Sequence, residues 1–346
     1  MMTIHEKVLL MSKTSRPFEN SGVLNPAAMR EGDNVHLLYR AVGKGNRSTI
    51  GYALLNGPYT VLKRHTEPLL LPESPHEAQG MEDPRLVKID DLYFLTYCAY
   101  DGINAMGALA TSTDLVHFKR HGLMVPQFSY EELKALIPAD THLNEKYKRY
   151  NSHHDSWTVS GEKRLVWDKN VVFFPRRING KLWFLHRIKP DIQNASVHEV
   201  DELNPGFWKT YLGNLEQHIA LSPRYEHEIS YLGAGCPPIE TPQGWILIYH
   251  SVHDTMEGYV YSACAALMSL SNPQHELARL PYPLFVPEES WEHTGEVNNV
   301  VFPTGAAVFD DTLYIYYGAA DEQIGCVSLS LSGLLGELSV HLNPAA

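Results

Sequence analysis

The sequence predicts an all-β protein, a five-bladed β-propeller built as a single domain from residues 1–346. Three observations lead there. A proline, a short apolar strand, a Gly/Asn/Asp turn and a strand of alternating aromatic and aliphatic residues recur five times. The prolines of the five copies, Pro26, Pro84, Pro175, Pro238 and Pro303, are separated by 58, 91, 63 and 65 residues. No long amphipathic helices alternate with the strands, as a two-domain α/β enzyme would require.

The copies can be followed in order. Residues 25–41 open on Asn25-Pro26, turn near Gly32-Asp33 and continue as Val35-His-Leu-Leu-Tyr-Arg40. Residues 83–101 open on Asp83-Pro-Arg85, break at Asp90-Asp91 and continue as Leu92-Tyr-Phe-Leu-Thr-Tyr-Cys98. The third copy, 174–188, turns at Asn179-Gly180, the fourth, 237–252, at Gln243-Gly244, and the fifth, 302–321, at Asp310-Asp311. These are the residue types that hairpin turns favour. A third strand follows most hairpins, at Ser48–Leu54, Met106–Ser112, Ser262–Met268 and Ile324–Leu329, with a weaker match near Gln217–Ser222. The one long gap implies a helical or loop insertion at about 126–165. Tyr130-Glu-Glu-Leu-Lys-Ala-Leu136 has helical periodicity, and Asn144–Trp157 is polar and His-rich.

Composition narrows the function. The chain has 346 residues, 44% hydrophobic and 20% charged, with a formal net charge of −12. That balance argues against a nucleic-acid partner or an anionic membrane surface, so any anion site must be a local cluster of cations. Met1–Lys7 lacks the apolar run of a secretory signal, and no segment is long enough to span a membrane. The four cysteines are scattered, which suits buried thiols in a reducing cytoplasm. Asn46-Arg-Ser and Asn194-Ala-Ser would be glycosylation sites only in a secreted protein. No metal is expected: His153-His154-Asp155 is half a metal site in a polar insertion and fits solvent or ligand contacts better.

In a propeller the innermost strands surround a channel and residues at their ends converge. Around the first strands stand Asn25, Asp83, Lys169-Asn170, Tyr231 and Asn298-Asn299; at the ends of the second strands stand Arg40, Asp101, Arg187, His250 and Asp321. Every position is polar or charged, and the residue type changes from blade to blade. An asymmetric active site on a symmetric scaffold has this character.

The sequence resembles glycoside hydrolase family 130, the β-mannoside phosphorylases and their few hydrolase relatives. The resemblance covers essentially the whole chain. It is carried by Gly80-Met-Glu-Asp83-Pro-Arg85, Gly233-Ala-Gly-Cys-Pro-Pro-Ile239, Trp245-Ile-Leu-Ile-Tyr-His250, Asn299-Val-Val-Phe-Pro-Thr-Gly305 and Tyr316-Tyr-Gly-Ala-Ala-Asp321. It implies a five-bladed propeller with Asp83 as general acid in an inverting reaction, the proton travelling through a hydroxyl of the bound mannose. Inorganic phosphate, a co-substrate rather than a cofactor, would attack the anomeric carbon and release α-mannose 1-phosphate. A general acid working near neutral pH calls for a raised pKa at Asp83.

By the same resemblance the phosphate cradle falls to Arg47, Lys169, Asn170 and His250, with Tyr231 where relatives carry a lysine. Cys236 likewise replaces a proline. The mannosyl unit falls to Asn25, Arg40, Asp101 and Asp321. Arg85 either orients Asp83, contacts sugar or forms a structural ion pair. An inverting β-mannoside hydrolase is the alternative, with Glu228 or Glu296 as the base that activates water; a non-catalytic carbohydrate-binding propeller is a second. The resemblance implies a β-mannoside oligosaccharide substrate, of manno-oligosaccharide or mannosyl-glucose or mannosyl-N-acetylglucosamine type, and a homo-oligomer, although no interface stripe is visible. The linkage is left open.

Overall fold

The computed structural model describes residues 3–138, 140–147, 164–256 and 258–343; His153, His154 and Asp155 lie outside them. The strands are β1 (Ile4–Met11), β2 (Gly22–Glu31), β3 (Asn34–Gly43), β4 (Arg47–Asn56), β5 (Thr60–Arg64), β6 (Gly80–Ile89), β7 (Leu92–Tyr100), β8 (Ala105–Ser112) and β9 (Lys119–Leu123). They continue as β10 (Lys169–Phe173), β11 (Leu182–Arg187), β12 (Ile192–Val197), β13 (Ile219–Leu221), β14 (Tyr231–Ala234), β15 (Ile239–Thr241), β16 (Gly244–Thr255), β17 (Gly258–Met268) and β18 (Glu276–Arg279). The last are β19 (Val301–Phe309), β20 (Thr312–Ala319) and β21 (Gln323–Ser330). Helices α1 (Tyr130–Leu136), α2 (Pro205–Gly213), α3 (Ser290–His293) and α4 (Leu331–Val340) lie between and after them.

Antiparallel pairing groups the strands into five successive units among the described residues. Unit 1 is β2–β5 and unit 2 is β6–β9, joined by one parallel rung between Ser48 and Gly80. Unit 3 is β10–β13 and unit 4 is β14–β18. Unit 5 is β19–β21 with β1, the N-terminal strand, as its outer member. The predicted helix over 130–136 is α1; Ser129 caps it, accepting from the Glu132 amide while Glu132 accepts from the Ser129 amide.

The alternation of side chains along each strand explains the packing. On β3, Leu37, Tyr39 and Ala41 enter a core shared with unit 5, whereas Leu38 enters one shared with unit 2. On β16, Ile246 and Ile248 face unit 5, and Trp245, Leu247 and Tyr249 face unit 3. Among the described residues five apolar clusters form, one between each pair of successive units and one between units 5 and 1. The first strands follow the same order: β2 packs on β6 and β19, β6 on β10, and β10 on β14.

A buried brace recurs in four units. A glutamate accepts from a second-strand tyrosine and pairs with a cation: Glu19 with Tyr39 and Arg64, Glu77 with Tyr97 and Arg120, Glu228 with Tyr249 and Arg279, Glu292 with Tyr317 and Lys7. Three of these carboxylates also accept two backbone amides of the loop before them. In unit 3 His186 takes the tyrosine's place and pairs with Asp168 at 2.8 Å and Tyr211 at 2.7 Å. Each buried carboxylate of the four braces is thereby paired with a cation, which burial requires.

Candidate active site

The first strands of units 1, 2 and 3 share a bulge. Their register with the second strand slips between Leu24 and Ala27, Glu82 and Arg85, and Lys169 and Val172. At the bulge Asn25, Asp83 and Asn170 hold φ of 49°, 48° and 54°. Asn and Asp tolerate this left-handed region better than other side chains, so the residue types are dictated partly by backbone. All three side chains are buried and wall one cavity of about 230 Å³. Two glycines make room for them. A Cβ on Gly318 would lie 1.8 Å from the Asn25 Oδ1, and one on Gly233 would lie 2.4 Å from the Asn170 Nδ2.

One end of the cavity is acidic. Asn25 donates to the Asp83 Oδ1 at 2.6 Å, and Arg40 reaches the same oxygen at 3.6 Å while its other nitrogen meets Glu82 at 2.6 Å. Burial works against the Asp83 charge, but Arg40, Lys169 and Arg85, with the Asn25 hydrogen bond, outweigh it and hold the carboxyl below its ordinary value. The raised pKa expected of Asp83 is therefore not found. Asp321, on the same wall, behaves oppositely: burial pushes it up to about 6, against Arg40 and with the help of Asp83 and Glu82.

The other end is basic. Lys169, Arg187 and Lys189 line it together with Asn170, Tyr231 and Tyr261. Lys169 keeps a raised pKa because Cys98, Glu82 and Asp83 offset its burial. Burial and then the Arg187 and Lys169 charges push Lys189 well down. Its ammonium lies 3.7 Å from the centre of the Tyr231 ring, and the Arg187 guanidinium lies 5.2 Å from the same ring. Tyr231, in the place of the missing lysine, bonds to the Tyr261 hydroxyl at 2.6 Å. His250 is fully buried behind this wall, 3.5 Å from Arg187; burial and then Arg187 hold it neutral. Both amide atoms of Asn170, the Arg187 Nε and the His250 Nδ1 have no partner. A buried cluster of donors that lack acceptors is what an anion site needs before its ligand arrives.

Other predicted site residues lie elsewhere. Arg85 is buried and spends its guanidinium on the carbonyls of Asp83 and Gly235, both at 2.7 Å, so it positions backbone and does not wall the cavity. Asp101 accepts from the amides of Ile103 and Asn104 at 2.7 and 2.6 Å and closes the turn after β7. Arg47 is exposed at the start of β4 and is not on the cavity wall. Glu228 is buried in its brace with Tyr249 and Arg279 and is not on the cavity wall. Glu296 is exposed and walls an adjoining cavity of about 380 Å³, which shares Arg40, Val297 and Asp321 with the first.

Lys189 and Tyr261 were not foreseen. Lys189 lies in the turn just after β11, which ends at Arg187, so strand alternation did not point to it. Tyr231 and Tyr261 both pair with Val252, so the register of β14, β16 and β17 sets them on one rung. Register also corrects the repeat alignment: Arg40, Cys98, Arg187, His250 and Gly318 are the equivalent second-strand positions, paired with Leu24, Glu82, Lys169, Gly233 and Phe302. Asp101 and Asp321 stand three residues beyond theirs.

The chain matches, over residues 3–338, the family model described as Glyco_hydro_130, beta-1,4-mannooligosaccharide phosphorylase. It belongs to glycoside hydrolase family 130. A 1,2-beta-oligomannan phosphorylase from Thermoanaerobacter sp. (strain X514) is 31% identical over 342 residues, covering 96% of this chain and 97% of the relative. A beta-1,2-mannobiose phosphorylase from the same organism is 29% identical over 341 residues, covering 93% and 94%. The solved beta-1,2-mannobiose phosphorylase of Listeria innocua, in complex with beta-1,2-mannobiose, shares the fold with a TM-score of 0.69 at 23% identity and 93% coverage of both chains. Among the described residues no group of three or more His, Cys, Asp and Glu side chains could hold a metal, and no helix is long and apolar enough to cross a membrane.

Proposed function

We propose that this chain is a cytoplasmic β-mannoside phosphorylase that works by inversion, with residues 1–346 forming a single five-bladed propeller. The order of the first strands and the five inter-unit cores support the propeller. Asp83 is the general acid. Asn25, Arg40 and Asp321 hold the mannosyl unit, because charged and amide groups give sugar hydroxyls strong, directional hydrogen bonds.

The observation that carries the reading is the basic end of the cavity. Lys169, Arg187 and Lys189 meet there with the unpartnered Asn170 amide and the neutral His250 behind them. An inverting hydrolase needs a second carboxylate that activates water, and it would place no cation cluster opposite its acid. Phosphate is already an anion and needs to be held in line, which is what cations and donors at this end supply. Lys189 restores the charge lost where Tyr231 replaces lysine.

The test is product analysis on β-linked manno-disaccharides with and without inorganic phosphate. Phosphate-dependent release of α-mannose 1-phosphate is expected, and Asp83→Asn should slow it roughly 10²–10⁴-fold while sugar binding persists. Free mannose formed equally well without phosphate would sink the proposal and turn attention to Glu296.

A further inference from the structure

A cavity of about 700 Å³ lies apart from the one just described. It opens at the outer edge of unit 3, where β13 pairs only with Ile192 and Gln193 of β12. Beyond those rungs the stretch Asn194–Ser196 borders the cavity, with α2 on one side and the turn carrying Gln274 on the other. None of the described residues lining it is Asp, Glu, Lys or Arg. Its wall is amides, hydroxyls and rings. Trp183, Phe207 and Tyr211 offer aromatic surface, with Tyr211 stacked on His218 at 4.0 Å between centroids. Asn194, Gln217 and Gln274 offer amides. Asn194 borders the cavity, is 2% exposed, and its buried Nδ2 has no partner. The same burial rules out a glycan on the Asn-Ala-Ser sequence.

We infer that this cavity is a second carbohydrate-binding site that takes a neutral oligosaccharide and performs no chemistry. A charged ligand would leave its charge unpaired here, at a cost that hydrogen bonds to neutral amides do not offset. A purely apolar ligand would leave the amides and Asn194 Nδ2 unsatisfied. A pyranose satisfies both halves of the wall, with its C–H face against a ring and its hydroxyls among the amides. A β-manno-oligosaccharide is the occupant that fits the proposed activity, and in that respect the inference rests on it. Such a site would hold a long substrate near the enzyme between turnovers and raise its effective concentration.

The experiment uses the full chain as Asp83→Asn, which prevents turnover, titrated by calorimetry with β-1,2-mannotetraose and, in parallel, with maltotetraose. Two mannotetraose sites per chain are expected. Phe207→Ala with Gln274→Ala should abolish one and leave the other within about twofold; where that double variant fails to fold, Gln274→Ala alone, on a surface turn, should weaken it several-fold. In the otherwise wild-type chain these substitutions should leave kcat and KM for a disaccharide unchanged. A single site indifferent to the substitutions overturns the inference, as does a second site that binds only a neutral apolar probe such as N-phenyl-1-naphthylamine. Tighter binding of maltotetraose than of mannotetraose would overturn the manno-oligosaccharide assignment. Absence of phosphorolysis, by contrast, would strike the proposed function and leave the second binding event to be judged on its own.

Discussion

Cations around Asp83 hold its pKa below the ordinary carboxylate value, and one of them, Lys169, also belongs to the proposed phosphate cradle. A bound phosphate dianion would cancel part of that pull, so the Asp83 pKa should rise when phosphate arrives. The acid must carry its proton, and activity is lost as pH rises through its pKa. The alkaline limb of the sugar kcat/KM should therefore move to higher pH at saturating phosphate; a limb indifferent to phosphate would refute the coupling. Lys189 gives a second test. Its pKa is pushed down, so its charge, and with it phosphate affinity, should fade as pH rises. Lys189→Met should raise the phosphate KM roughly tenfold or more, the loss of at least one charge-assisted contact, with the sugar KM unchanged. Lys189→Arg, charged at all working pH values, should flatten the pH dependence. Equal effects on both substrates would deny Lys189 its place in the cradle.

The strand and its bulge explain which of these residues could be found without coordinates. Asn25, Asp83 and Asn170 were visible because left-handed backbone favours Asn and Asp at the same step of each copy. Asp101 was misplaced because a sequence does not show where pairing stops. β7 ends at Tyr100, and Asp101 belongs to the turn. Glu228 was misread for a different reason. Its meaning lies in a pattern shared with Glu19, Glu77 and Glu292, each facing a tyrosine 20 to 25 residues along the chain, and a glutamate viewed alone carries no trace of it. Glu228→Gln separates brace from base. It leaves Arg279 with Glu276 as its remaining carboxylate partner among the described residues, beside the Ser222 carbonyl, so folding stability in denaturant should fall by about 2–4 kcal/mol, while kcat per folded molecule stays within about twofold. A collapse of kcat in a stably folded variant would restore Glu228 as a catalytic base.

At the scale of the whole molecule, the five repeats were legible and the way the ends meet was not. Nothing in Ile4–Met11 resembles a fifth-copy strand, yet β1 pairs along β21 from Ile4 with Leu329 to Met11 with Ile324. Lys7 adds contacts with the Val286 carbonyl at 2.8 Å and with Glu292 at 3.1 Å, so the unit 5 brace takes its cation from the opposite end of the chain. Units 1 and 5 also share an apolar cluster, to which Met11 contributes, and hydrogen bonds such as those from the Val23 amide to the Glu322 carbonyl and from the Thr304 hydroxyl to the Pro26 carbonyl. Removing residues 1–11 would expose the β21 edge, strip Glu292 of its cation and open that cluster. It would also loosen β20, beyond whose end Asp321 reaches the cavity. The truncated chain should lose cooperative unfolding and activity together, and an added peptide of sequence 3–12 should restore part of both by re-forming the outer strand. Full activity with an unchanged unfolding midpoint after truncation would show that β1 is an ornament on unit 5 and not the closure of the molecule.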